Sequence, residues 1–100
     1  MPQSDSEHIS QVMQQRLEKM RAEVDHLDDQ LADLLMKRFK IISELKAAKN
    51  VLGKEIYQPM REREIIKRLE ASVMDTELFN TLRNIFERIL DESRAFQSKH

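Results

Sequence analysis

The sequence predicts an all-α fold of three helices, the first of them very long, and three observations carry that expectation. Glycine and proline are scarce, at one and two residues in 100, while Leu, Met, Glu, Lys, Arg and Gln, all strong helix formers, are plentiful. Apolar residues recur in steps of three and four, the spacing of one helix face. Gly53 and Pro59 fall between the periodic stretches, where they punctuate rather than interrupt them.

The first periodic stretch runs Met13, Leu17, Met20, Val24, Leu27, Leu31, Leu34, then Ile41 or Ile42, Leu45, Ala48 and Leu52. No Gly or Pro breaks it after Pro2, and Gly53 supplies the first plausible C-cap. A helix of about 40 to 45 residues follows, spanning roughly 60 Å at ~1.5 Å per residue. A compact domain of this size has a radius of gyration of only ~13 Å. The rest of the chain cannot wrap such a rod, so its apolar seam calls for a partner, most simply a second copy. The first ten residues, "MPQSDSEHIS", read as a polar tail, leaving 11–100 as the domain.

A second helix is expected from Pro59 to about Ala71, with Ile65, Ile66 and Leu69 inward. Proline fits the first helical position, where a fixed φ and a missing N–H cost nothing. Gln58, in the capping position before it, is a poor cap compared with Ser, Thr, Asp or Asn. "SVMDTE" then breaks the pattern, with Ser72 or Asp75 able to cap a third helix. That helix carries Leu78, Leu82, Ile85, Ile89 and Phe96 on one stripe and ends near Gln97.

Composition narrows the function. The 17 Lys and Arg nearly cancel the 18 Asp and Glu, so no bulk field points to nucleic acid or an anionic membrane. There is no Cys, and His8, His26 and His100 are too scattered for a metal site. The N-terminus lacks the apolar core of a signal peptide, and no apolar run approaches spanning length. A soluble, cytoplasmic protein with neither membrane nor nucleic-acid partner is expected.

The informative residues are polar ones placed in apolar stripes. Arg38 occupies a seam position between Leu34 and Leu45, and Lys49 lies eleven residues, about three turns, later on nearly the same face. Ser93 and Gln97 continue the stripe of the third helix. Singly, such residues snorkel, set register or sit on the surface. Together, two cations and two neutral donors beside apolar stripes require acceptors, and an anionic ligand would supply them. Arg21, beside Met20 and Val24, could join from a partner chain. Arg61 and Glu62 fill the first turn of the second helix, where Arg63 and Lys67 read as a solvated face. With no nucleophile–base pair, Gly-rich loop or metal-ligand spacing, any catalysis here would work by placing charges and hydrogen bonds.

Over residues 16–98 these features resemble the all-helical class of chorismate mutase. The resemblance rests on "MRAEVDHLDDQLADLLMKR", "ELKAAK", "PMRERE" and "ILDESRAFQ". It implies an interlocked all-α homodimer, with active sites shared between chains, that rearranges chorismate to prephenate on the way to phenylalanine and tyrosine without a cofactor. Arg38 and the partner subunit's Arg21 would hold the substrate's two carboxylates, while Lys49 and Gln97 would donate to its ether oxygen. Glu62 would receive the hydroxyl, Ser93 would contact a carboxylate and Arg61 would support the cationic wall. Gln58 departs from the family pattern, where Asp both caps the helix and helps bind the hydroxyl. Isochorismate pyruvate lyase shares the fold, and a non-catalytic helical interaction module is the alternative from another class. At this length no dehydratase, dehydrogenase or amino-acid-sensing domain fits, so a monofunctional enzyme is expected.

Overall fold

In a computed structural model, which describes residues 2–99, the chain forms three α-helices: α1 (Pro2–Leu52), α2 (Pro59–Ser72) and α3 (Thr76–Lys99). The very long first helix is therefore present. Its 51 residues exceed the expected length because it begins at Pro2. From Pro2 onward the stretch read as a polar tail is helical, and Asp5 to Ser10 are exposed. Its residues carry no breaker after Pro2, and proline is tolerated in a first helical turn.

The chain divides into two units, Met1–Lys37 and Arg38–His100. The first consists of the N-terminal part of α1. Its apolar stripe is uncovered within the unit, from 38% exposure at Leu17 to 61% at Leu34.

The second unit holds the end of α1 with α2 and α3. Gly53, at φ 67°, closes α1 in the left-handed conformation that glycine adopts without strain. Its N–H donates to the Asn50 carbonyl at 3.3 Å, and the Lys54 N–H donates to the Lys49 carbonyl at 2.8 Å, a Schellman cap. Pro59 opens α2 as expected, and Gln58 makes no side-chain cap hydrogen bond. Asp75 caps α3, its Oδ1 accepting from the Leu78 N–H at 2.9 Å.

Ile65, Ile66 and Leu69 are all partly buried, as the pattern of α2 predicts. The inward face of α3 differs in part. Leu78 and Ile85 are about half exposed, whereas Phe79, Phe86 and Leu90 turn inward beside Leu82 and Ile89. Two adjacent stripes of α3 are apolar at helical spacing, so periodicity alone does not choose between them. Phe39 of α1 meets Phe96 of α3 edge-on at 5.1 Å between centroids.

Candidate functional site

The end of α1 brings Arg38 and Lys49 to one side of α3, where Ser93 and Gln97 wait. Arg38 Nη1 donates to Ser93 Oγ at 2.6 Å, and the Ser93 hydroxyl donates in turn to the Ile89 carbonyl at 2.6 Å. One turn further along α3, Lys49 Nζ donates to Gln97 Oε1 at 3.2 Å and to the Ile56 carbonyl at 3.5 Å. Gln97 Nε2 donates in turn to the Ile42 carbonyl at 3.0 Å. Ser93 and Gln97 are the buried polar residues of this unit, at 7% and 3% exposure, alongside buried Ile42 and Leu90.

These bonds fix the orientation of the Gln97 amide, because reversing it would set its NH₂ against an ammonium and its oxygen against a carbonyl. They also leave donors in hand. Of three ammonium protons on Lys49 two are engaged, and of two amide protons on Gln97 one is. Among the described residues, each thus has one N–H without a hydrogen-bond acceptor.

The charge at Arg38 is uncompensated. Among the described residues its hydrogen-bond partner is a neutral hydroxyl, and no carboxylate pairs with it. Burial, and secondarily the nearby positive charge of Arg61, push its pKa below the usual arginine value. A guanidinium stays protonated at neutral pH despite this, so it remains a partly buried cation within the field of another. Such a site gains from an anion.

Arg61 pairs with Glu64 at 3.3 Å on the exposed side of α2, so its contribution toward Arg38 is through its field. Glu62 points elsewhere, to Arg94 of α3. Arg94 Nη1 donates to both Glu62 oxygens, at 2.5 Å to Oε2, and Nη2 donates to Asp91 Oδ1. The guanidinium also lies 4.9 Å from the centroid of the Tyr57 ring. The hydrogen bond to Glu62 is the main cause of a raised Arg94 pKa, which burial opposes and the charges of Glu62 and Asp91 reinforce. Gln58 is partly buried, and its carbonyl accepts from the Glu62 N–H at 3.1 Å.

Of the sequence-derived candidates, Arg38 is thus joined to Ser93 and Lys49 to Gln97, and Gln58, Arg61 and Glu62 share the start of α2. Arg21 lies in the first unit, exposed, lining an open hollow of about 410 Å³ with Leu17, Met20, Val24 and Asp25. Sequence reasoning missed Arg94, Asp91 and Tyr57, and the carbonyls of Ile42 and Ile56. The adjacency of Arg94 to Ser93 was visible, but its pairing across 32 positions to Glu62 was not.

Fold and site define an all-α domain whose polar centre is a half-buried cluster of cations and neutral donors set between helices. The model of the chorismate mutase type II family matches residues 20–98, a span that includes every candidate from Arg21 to Gln97, and the chain belongs to that family. The family takes its name from chorismate mutase, an isomerase. A curated protein of Haemophilus influenzae named T-protein is 31% identical over 85 residues, covering 83% of this chain. The chain spans 22% of that relative's length. Among the described residues no group of His, Cys, Asp and Glu could hold a metal ion, and no helix is long and apolar enough to cross a membrane.

Proposed function

We propose that the chain converts chorismate to prephenate by an intramolecular Claisen rearrangement, serving phenylalanine and tyrosine synthesis. The observation that carries this reading is the pairing of Arg38 with Ser93 and of Lys49 with Gln97, one turn apart on α3. A purely structural helical module would leave these side chains splayed in solvent.

In this reading Arg38 binds one substrate carboxylate through its planar fork, and the partner subunit's Arg21 binds the other. Ser93 joins the first once its hydroxyl turns from the Ile89 carbonyl. The remaining N–H groups of Lys49 and Gln97 donate to the ether oxygen. Negative charge grows there as the C–O bond breaks, so donors already aimed at it favour the transition state over the ground state. Arg61 adds to the positive field, Glu62 accepts from the ring hydroxyl, and Gln58 offers its amide oxygen beside it. No covalent intermediate is needed.

The same reading makes the enzyme an interlocked homodimer. The uncovered stripe of the first unit supports it, since Met13, Met20, Val24, Leu27, Leu31 and Leu34 are each 46% exposed or more in the single chain.

The test follows loss of chorismate by purified protein beside an Arg38→Ala variant, with isochorismate as a second substrate. Removing a guanidinium that pairs with a bound carboxylate should lower kcat/KM by about 10²–10³-fold, equivalent to some 3–4 kcal/mol. Equal activity of both proteins would remove Arg38 from the site. Release of pyruvate from isochorismate in place of prephenate formation would reassign the reaction.

A further inference from the structure

We infer that Arg94 is a positioning residue for the reaction, holding Glu62 in place to receive the substrate hydroxyl and keeping that carboxylate away from the cations that bind substrate. The inference rests on the proposed role of Glu62 and extends it to a residue that touches no substrate.

Three contacts fix the Arg94 guanidinium. Asp91, one turn earlier on the same helix, takes Nη2, while the ring of Tyr57 lies 4.9 Å from the guanidinium carbon. Nη1 then spans both oxygens of Glu62. These contacts tie α3 to the first turn of α2 and to the connection that precedes it. Both side chains are shielded, at 30% exposure for Arg94 and 22% for Glu62, so solvent screens the pair less than the exposed ion pairs of the same unit. The carboxylate keeps lone pairs for a further donor, because an ionised carboxylate offers about four acceptor sites.

The second half of the argument concerns where Glu62 would go without Arg94. Its chain neighbour Arg61 is close enough to Arg38 for their charges to interact. Arg38 itself has only a neutral hydroxyl partner. Although Arg61 pairs with Glu64, a released Glu62 carboxylate would be drawn toward the unpaired charge of Arg38 and would weaken the field meant for the substrate. Arg94 therefore does two things at once: it aims an acceptor and leaves the anion site positive.

The experiment is a double-mutant cycle with kcat and KM measured separately for chorismate. Arg94→Met should lower kcat/KM roughly tenfold, mostly through a higher KM, as expected when a supporting group is removed from a binding residue. The double variant Glu62→Gln/Arg94→Met should be no worse than Glu62→Gln alone, because Arg94 acts through Glu62. Arg94→Lys, which keeps the charge but not the fork, should recover part of the loss and serves if Arg94→Met fails to fold. A chorismate analogue lacking the ring hydroxyl should respond to Arg94→Met less than chorismate does. Additive losses in the cycle, or equal losses with both substrates, would overturn the inference and make Arg94 merely structural. Activity unaffected by Arg94→Met but reduced by Glu62→Gln would overturn it alone. Activity unaffected by Glu62→Gln would overturn the proposed role of Glu62 along with it.

Discussion

The two units share one helix and treat it in opposite ways. Before Lys37 the apolar stripe of α1 finds nothing within its own unit to cover it, and Leu27, Leu31 and Leu34 are more than half exposed. From Arg38 onward the same helix buries Ile42, sets Phe39 edge-on to Phe96 and places two cations on buried polar groups of α3. An isolated helix gains little stability in water without a packed face. Covering each large side chain of the stripe is worth on the order of 1.5 kcal/mol or more. The second unit can therefore draw on its own chain for support, whereas the stripe of the first finds no such cover in its own unit, which the proposed second copy would supply.

The largest effect should come from breaking the uncovered stripe. Replacing Leu27 and Leu31 together by Glu places two charges where a second copy is proposed to pack. Sedimentation should show a dimer becoming a monomer, with chorismate turnover falling below detection because the partner subunit's Arg21 is lost. A monomer of full activity would mean that the second unit suffices alone.

A smaller, conditional effect is expected at the centre of the second unit. In Gln97→Glu the ionised side chain cannot donate to the Ile42 carbonyl or to substrate, and only the protonated acid restores one donor. Activity should fall at neutral pH and recover as the pH drops through the carboxyl's titration, while the parent, with a neutral amide, shows no such acid requirement. A variant with the parent's pH profile would remove Gln97 from the reaction.

The smallest effect belongs to Gln58, which makes no side-chain bond to the first turn of α2. Gln58→Asp should supply the missing cap and stabilise the fold by about 1 kcal/mol, read as a modest rise in Tm. An unchanged Tm would show that the turn before α2 prevents a side chain there from reaching the amides.

The same division governs how much could be read from the residues. Helix ends were legible where one residue dictates local geometry: Gly53 at positive φ, Pro59 at the first position of α2, Asp75 beneath the Leu78 N–H. Arg38, Lys49, Ser93 and Gln97 were legible because each breaks an apolar stripe. What periodicity could not reveal depends on packing between distant segments. Phe79, Phe86 and Leu90 displaced Leu78 and Ile85 from the inner face of α3, since both stripes have helical spacing. Arg94 and Glu62 pair across 32 positions, and an arginine among many charged residues gives no sign of its partner. The helical start at Pro2 was hidden because polar residues free of breakers suit an exposed helix as well as a tail.

The Gln97 amide, 3% exposed and held by Lys49 on one side and the Ile42 carbonyl on the other, also makes a built-in spectroscopic probe. Its two protons have unlike surroundings in the proposed reading, one on the Ile42 carbonyl and one donating to the substrate. They should give a well-separated, slowly exchanging pair of side-chain amide resonances. Titrating in substrate analogue should shift the open proton far more than its bonded twin, reporting occupancy of the site without any turnover.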